Sequence, residues 1–327
     1  MSLTIIVFVA IALVFDFLNG FHDSANVVAT AIASRAIPPR WALGMTAMAN
    51  LVGPFLFGVA VAETIGHEVV GEQAVTVPVA MSALLSAIVW NLLTWLLGIP
   101  SSSSHALIGG FIGAAITGYG LGVVRMEGLS KVFLGLFVSP VIGLIFGWLT
   151  MRQTLSIGSH MSPRINLFFR RAQWFTALAL GLSHGTNDAQ KTMGILTMGL
   201  VAFGVLPTFQ VPVWVIAASA TAIGLGTALG GWRLIRTMGS RFYRIRPIHA
   251  FSSQIASTVV ILGAALLGSP VSTTQVISSA IVGAGAAQRV GMVRWSVATQ
   301  IVVTWILTIP ATGILGAALL WVLRPVL

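Results

Sequence analysis

The chain has 327 residues, 57% hydrophobic and only 7% charged, with a net charge of +10 and no cysteine. A soluble domain carries about a quarter charged residues, so this composition excludes a water-facing globule and requires an integral membrane protein. Disulfide and thiolate chemistry are excluded, and the basic residues sit between apolar runs instead of forming a stripe, which argues against a nucleic-acid binder.

The apolar runs are long and lack the alternation of a barrel strand, so helices are expected. The first crossing is read at 3–34, without a cleavage site that would mark a removable leader. It contains N-G-F-H-D-S-A-N, Asn19 to Asn26, with Asp16 about one turn earlier, and is expected to be interrupted there. Crossings at 41–62, 77–98, 103–120 and 132–151 follow. Between the third and fourth stands G-I-P-S-S-S-S-H, Gly98 to His105.

A second series then begins. A crossing at 173–204 carries H-G-T-N-D-A-Q-K, His184 to Lys191, and is also expected to be interrupted. Crossings at 211–232, 250–268, 273–288 and 295–323 complete it, with G-S-P-V-S-T-T-Q, Gly268 to Gln275, between the third and fourth. Asp23 aligns with Asp188 at an offset of 165, and Gly98 with Gly268 at an offset of 170. The expected fold is an all-α polytopic membrane protein with broken helices. Two repeats, 1–151 and 173–327, are joined by a basic loop, 152–172. The 103–120 and 273–288 pieces are short for a bilayer and read as arms of re-entrant hairpins, in a total of about 10–12 membrane segments.

An odd number of crossings turns the second copy upside down, and the loop charges agree. The loop after the second crossing holds Glu63, Glu68 and Glu72 in one copy and Arg233, Arg236, Arg241, Arg244 and Arg246 in the other. Together with Arg35, Arg40, Arg152, Arg164, Arg170, Arg171, Arg289 and Arg294, these arginines place 13 of the 17 basic residues on one side. Under the positive-inside rule the segments 35–40, 152–172, 233–248 and 289–294 are cytoplasmic and both termini are outside. The 121–131 loop, with Arg125 and Lys131 outside, departs from the pattern.

Paired polar interruptions in two halves point to a transport site near the bilayer midplane. Pro100 and Pro270 suit helix starts, and Ser101, Ser102, Ser103 and Ser104, with Ser272, Thr273 and Thr274, put hydroxyls beside free N–H groups. Two such stretches form a cradle for a tetrahedral oxyanion; the competing role is helix capping or interhelical bonding. His105 sits where a donor to that anion belongs. Asp23, Asp188 and Lys191 are costly intramembrane charges. Asp188 and Lys191 at i, i+3 either pair structurally or take part in transport, while Asp23 lacks a basic neighbour in sequence and suits a coupling cation or proton. Asn19, Asn26, Asn187 and Gln190 offer carbonyl oxygens or donors; His22 and His184 flank the motifs at non-equivalent places. His67, His160 and His249 read as ordinary loop histidines. No metal site is assigned. Nothing resembles H-E-x-x-H or a supported G-x-S-x-G, so an enzyme is not expected.

G-F-H-D-S-A-N-V-V-A-T, H-G-T-N-D-A-Q-K and W-N-L-L-T-W-L-L-G-I-P-S-S-S-S-H-A-L-I-G (Trp90 to Gly109) resemble the signatures of the inorganic phosphate transporter (PiT) family, most closely bacterial low-affinity permeases. The resemblance implies an inverted-repeat transporter with phosphate and coupling ions between the halves. It places Asp23, Asn26, Asn187 and Asp188 near the ions, and Ser101–Ser104 and Ser272–Thr274 near phosphate. Sodium-coupled members carry Asn-Asp-x-Ala-Asn in both signatures, whereas this chain ends the second with Gln190-Lys191. A lysine cannot ligate sodium, but can neutralise Asp188 or contact phosphate. The resemblance therefore favours proton over sodium symport, in a cell membrane, with no cofactor and with phosphate carried free or as a metal complex. A homodimer is one assembly to test. A sulfate permease of the same superfamily and a passive anion channel are the alternatives.

Overall fold

The computed structural model describes residues 3–159, 161–162 and 164–325; His160 therefore lies outside the described residues. Twelve helices follow one another: α1 (Leu3–Ala33), α2 (Pro39–Leu56), α3 (Ala60–Glu63), α4 (Val77–Leu97), α5 (Ser103–Tyr119), α6 (Met126–Gly158), α7 (Ile165–Ala202), α8 (Val213–Leu229), α9 (Trp232–Ser240), α10 (Pro247–Leu266), α11 (Thr273–Gln288) and α12 (Trp295–Leu323). No strand is formed among the described residues beyond an isolated bridge between Val70 and Val124. Helices α1, α4, α6, α10 and α12 are each long and apolar enough to cross a membrane. The bent pairs α2–α3 and α8–α9 raise that number to seven. The protein is a multi-pass membrane protein.

The order of α1 to α6 recurs in α7 to α12, and the packing recurs with it. Helix α1 lies on α8 as α2 lies on α7, and α5 lies on α12 as α6 lies on α11. Close approaches give the directions. Gly109 and Gly113 of α5 meet Ile309 and Gly313 of α12, while Gly143 and Gly147 of α6 meet Val276 and Ala280 of α11, so both pairs run parallel. Helices α5 and α6 are joined by the short turn 120–125 and run in opposite senses, and therefore so do their equivalents α6 and α12. The packing of the first six helices thus recurs in the last six.

Each hairpin tip turns at a glycine with φ of 67°, Gly98 and Gly268, a left-handed conformation that is costly for any residue with a Cβ. Helices α5 and α11 have 17 and 16 residues, or about 25 Å, short of a bilayer core of about 30 Å.

Three expectations need correction. The motif helices α1 and α7 are continuous; the breaks fall one helix later, as bends of 73° between α2 and α3 and 70° between α8 and α9. Gly20 and Gly185 serve close packing instead of chain breaking. A Cβ on Gly20 would lie 2.1 Å from the Ile223 carbonyl oxygen, and one on Gly185 2.5 Å from the Asn50 Cα. Second, α5 and α11 begin at Ser103 and Thr273, the expected starts of those crossings, but Pro100 and Pro270 do not take the helix starts, because Ser102 and Ser272 hold the N-cap positions. Third, the expected loop 152–172 is largely helical, since α6 runs to Gly158 and α7 starts at Ile165. Long arginine side chains let a helix extend past the apolar layer without breaking. His249 is likewise in the first turn of α10, not in a loop.

The four segments expected on one side do meet. Arg170 donates to the Arg35 carbonyl (2.9 Å), Gln173 to the Pro247 carbonyl (3.2 Å), and the Arg294 N–H to the Phe242 carbonyl (3.0 Å). At the other end Gly71 donates to the Val123 carbonyl and Phe8 packs on Phe203.

Candidate functional site

Helices α1 and α7 bring their polar motifs to the centre, where both hairpin tips arrive. The motif residues Asn19, His22, Asp23, Asn26, His184, Asn187, Asp188, Gln190 and Lys191 are all buried, as are Ser101 to His105 and Ser272 to Thr274. A charge in such a place is retained only with partners.

The carboxylate of Asp23 on α1 accepts from Ser103 (3.1 Å) at one tip, from Thr274 (3.1 Å) at the other, and lies 2.9 Å from His22 Nδ1. Asn26, one turn further, donates to Thr274 (2.9 Å). The carboxylate of Asp188 on α7 accepts from Thr273 (2.8 Å), from Asn187 (3.1 Å) and from the Lys191 ammonium. Lys191 also donates to Ser104 (2.6 Å) and to the Val271 carbonyl (2.8 Å). The two arrangements correspond: Ser103 matches Thr273, Thr274 matches Ser104, and Lys191 stands where Asn26 stands in the first half. The lysine is tied into three acceptors, one of them the Asp188 carboxylate.

The tips also touch each other. Ser102 accepts from the His105 N–H (3.1 Å) and Ser272 from the Gln275 N–H (3.3 Å), each capping its helix. Ser272 then donates to Ser102 (2.7 Å). The N-termini of α5 and α11, with their partial positive charges, thus face one another across two hydroxyls. His105 supports the cap: Nδ1 lies 2.8 Å from Ser102 Oγ and the ring packs edge-on against Phe137. Ser101 pairs with Thr94 (2.7 Å), a residue of α4 that also lies 3.4 Å from His22 Nε2.

His184 is more central than its sequence position implied. Asn50 donates through Nδ2 to Thr227 (2.7 Å), whose own hydroxyl donates to the Ile223 carbonyl (2.9 Å). Asn50 Oδ1 therefore faces His184 Nδ1 at 3.2 Å, and Nδ1 is the donor. The other nitrogen, Nε2, lies 3.1 Å from Asp188 Oδ2, an approach that needs a proton or a cation between the two atoms. Asp23, His184 and Asp188 each offer a ligand atom within 4.8 Å of the others, a group able to hold a cation. Asn19 Oδ1 and Asn187 Oδ1 are buried acceptors that meet no donor among the described residues, which also suits a cation.

Gln190 turns away from this centre. Its Oε1 accepts from the Val61 N–H (2.8 Å) and its Nε2 donates to the Gly58 carbonyl (2.8 Å), satisfying the backbone at the α2–α3 bend. Ser24 does the same for the α8–α9 bend by accepting from the Gly231 N–H (2.9 Å). Sequence reasoning missed Ser24, and also gave Asp16 no role. Asp16 is fully buried on α1 and accepts from Thr192 of α7 (2.5 Å). A lone acid three residues before a polar motif was the available signal.

Comparison with known proteins fits this geometry. A model of the "Phosphate transporter family" matches twice, over residues 19–161 and 152–316. The chain belongs to that family. A Bacillus subtilis (strain 168) protein described as "Probable low-affinity inorganic phosphate transporter" is 42% identical, with 98% of this chain and 97% of its own covered. A Rhizobium meliloti (strain 1021) protein with the same description is 43% identical over 94% of this chain and 93% of its own. A solved structure described as "The sodium-dependent phosphate transporter" superimposes with a TM-score of 0.89 at 24% identity, covering all of both chains, and so shares the fold. These relatives are transporters, and the chain is not an enzyme.

Proposed function

We propose that the chain is a secondary active transporter that imports inorganic phosphate across a cell membrane by cation symport with alternating access, coupled to protons rather than sodium. The observation that carries this reading is the meeting of two hairpin tips with two buried aspartates, related by the repeat. Hydroxyls and helix N-termini supply the anion ligands. Asp23, His184 and Asp188, with Asn26 and Asn187, supply the cation side. The anion displaces the Ser272–Ser102 bond and takes up both caps.

Lys191 sets the choice of cation. In the first half the Asn26 position holds a neutral amide, and no resident ammonium faces Asp23. In the second, a resident ammonium occupies the equivalent place and leaves no room for a sodium ion against Asp188. A proton needs only one acceptor atom, which the Asp23, His184 and Asp188 group provides. Phosphate, free or as a metal complex, then crosses with its charge largely neutralised, which matters because one net charge costs about 2.3 kcal/mol per 100 mV. The sodium dependence of the solved relative belongs to that protein, and the lysine is the reason for not carrying it over. The arginine-rich face is taken as cytoplasmic.

Labelled-phosphate uptake into proteoliposomes, with a pH gradient or a sodium gradient imposed separately and sulfate as competitor, tests this. Proton-driven accumulation unaffected by sulfate is expected. Accumulation only with sodium would overturn the coupling, and block by sulfate would replace the substrate.

A further inference from the structure

The arginine-rich face holds a second polar cavity, separate from the hairpin tips. It has a volume of about 710 Å³ and is lined by Arg35, Arg236, Arg244, Arg246 and Arg294, with Trp232 at its side. All five arginines are exposed. Among the described residues none of them makes an ion pair. None of the chain's seven carboxylates occurs in 233–248 or 289–294, and the nearest in sequence to Arg35 is the buried Asp23. Five guanidinium groups thus repel one another around one hollow with no anion of the protein's own to balance them.

The positive-inside rule asks for basic residues on this side, not for their convergence. The convergence is built. Arg35 is the one residue other than glycine, among those described, with a positive φ (56°), a conformation that persists only where surrounding contacts hold it. The Arg170 guanidinium supplies such a contact by donating to the Arg35 carbonyl (2.9 Å). Arg294 is held by its N–H on the Phe242 carbonyl (3.0 Å). The Tyr243 hydroxyl, between Arg241 and Arg244, donates to the Ile281 carbonyl (2.8 Å) and docks the α9–α10 link on α11. Helices α10 and α12 both start beside this cavity, after Arg246 and Arg294, and their N-termini add partial positive charge there.

We infer that this cavity is a binding site for a phosphate-bearing anion of at least two negative charges. Planar guanidinium forks match phosphoryl oxygens in pairs, and a single monoanion leaves most of the five charges uncompensated. The ligand comes either from solution, as a condensed phosphate, or from the bilayer, as an anionic phospholipid headgroup for which Trp232 marks the interfacial depth. Either one joins the α1–α2 turn of the first repeat to α9, α10 and α12 of the second. Occupancy therefore ties the two repeats together on this face.

The test uses the full chain in phosphatidylcholine nanodiscs, with binding of tripolyphosphate measured by calorimetry. A parallel sample in discs containing cardiolipin, whose headgroup carries two phosphodiesters, is probed by native mass spectrometry for retained lipid. The variant is Arg244→Gln with Arg246→Gln, and the control is Arg40→Gln with Arg152→Gln, which removes equal charge outside the cavity. Tripolyphosphate binding that weakens more than about tenfold in the variant but not the control identifies a soluble ligand, two charge-assisted contacts being lost. Cardiolipin retained by the wild type and control but not the variant identifies a headgroup. If neither ligand distinguishes variant from control, the site does not exist.

Discussion

The two motif helices began as the same segment and now differ at one position that matters most. On α1, Asp23 and Asn26 meet the tips through neutral hydroxyls. On α7, Asp188 and Lys191 form a closed ion pair that also grips Ser104 and Val271. Sharing a backbone plan does not oblige two sites to share a charge state. One half carries its own cation, and the other must find one. In the proposed symport the repeat supplies the symmetric cradle, and the lysine makes the coupling one-sided.

The largest expected effects test whether both carboxylates are needed and whether they fail for the same reason. Asp23→Asn and Asp188→Asn are each expected to lower phosphate uptake by about a hundredfold or more, the loss of a buried charged contact. Their stabilities should diverge. Asp188→Asn leaves a buried ammonium unpaired and is expected to cost about 3–5 kcal/mol, whereas Asp23→Asn costs less and Asp188→Asn with Lys191→Met recovers most of the loss. Thermal melting in detergent reads this, and equal melting of the two single variants would refute the one-sided account. Next comes Lys191→Asn, which gives the second half the pattern of the first. Uptake is expected to become sodium-stimulated by about tenfold, as a carbonyl oxygen replaces an ammonium. Unchanged coupling would mean the lysine does not decide the cation.

Smaller effects probe what the halves hold in common. Gly20→Ala and Gly185→Ala each push a methyl into a facing backbone and should cost about 1–3 kcal/mol, by similar amounts in both halves. Ser102→Ala and Ser272→Ala should each cost about 1 kcal/mol as lost caps, and the pair less than the sum, because the two hydroxyls share a bond. Strict additivity in unfolding measurements would show that the tips do not cooperate.

Much of this was legible in the sequence. Matching offsets located most of the equivalent crossings to within a few residues, since apolar length and tip residues such as Gly98 and Gly268 are local signals, but α6 and α7 extend further than expected. The helical continuity of α1 and α7 was not legible. A cluster such as His22 and Asp23 looks like a break when the solvent is taken to be lipid, yet the facing hairpin tips and α4 supply hydroxyl partners, and the helix stays closed. The true bends follow Leu56 and Leu229, where the freed N–H groups are met by Gln190 and Ser24 from a distant helix, a contact no local pattern displays. The centrality of His184 was hidden for the same reason, because it depends on Asn50, 134 positions away in sequence.

Opposite running of the equivalent helices has a consequence for how the chain is threaded into a membrane. Helices α1 and α7 carry nearly the same motif, so the motifs themselves do not tell the insertion machinery which end to translocate. The distinction lies in their flanks. Arg35 and Arg40 follow α1, whereas Arg152 and Arg164 precede α7, and Arg170 and Arg171 sit in its first two turns. Under the positive-inside rule, a handful of arginines outside the proposed central chemistry sets the orientation expected of each half during synthesis. Moving those charges would present a finished site to the membrane upside down.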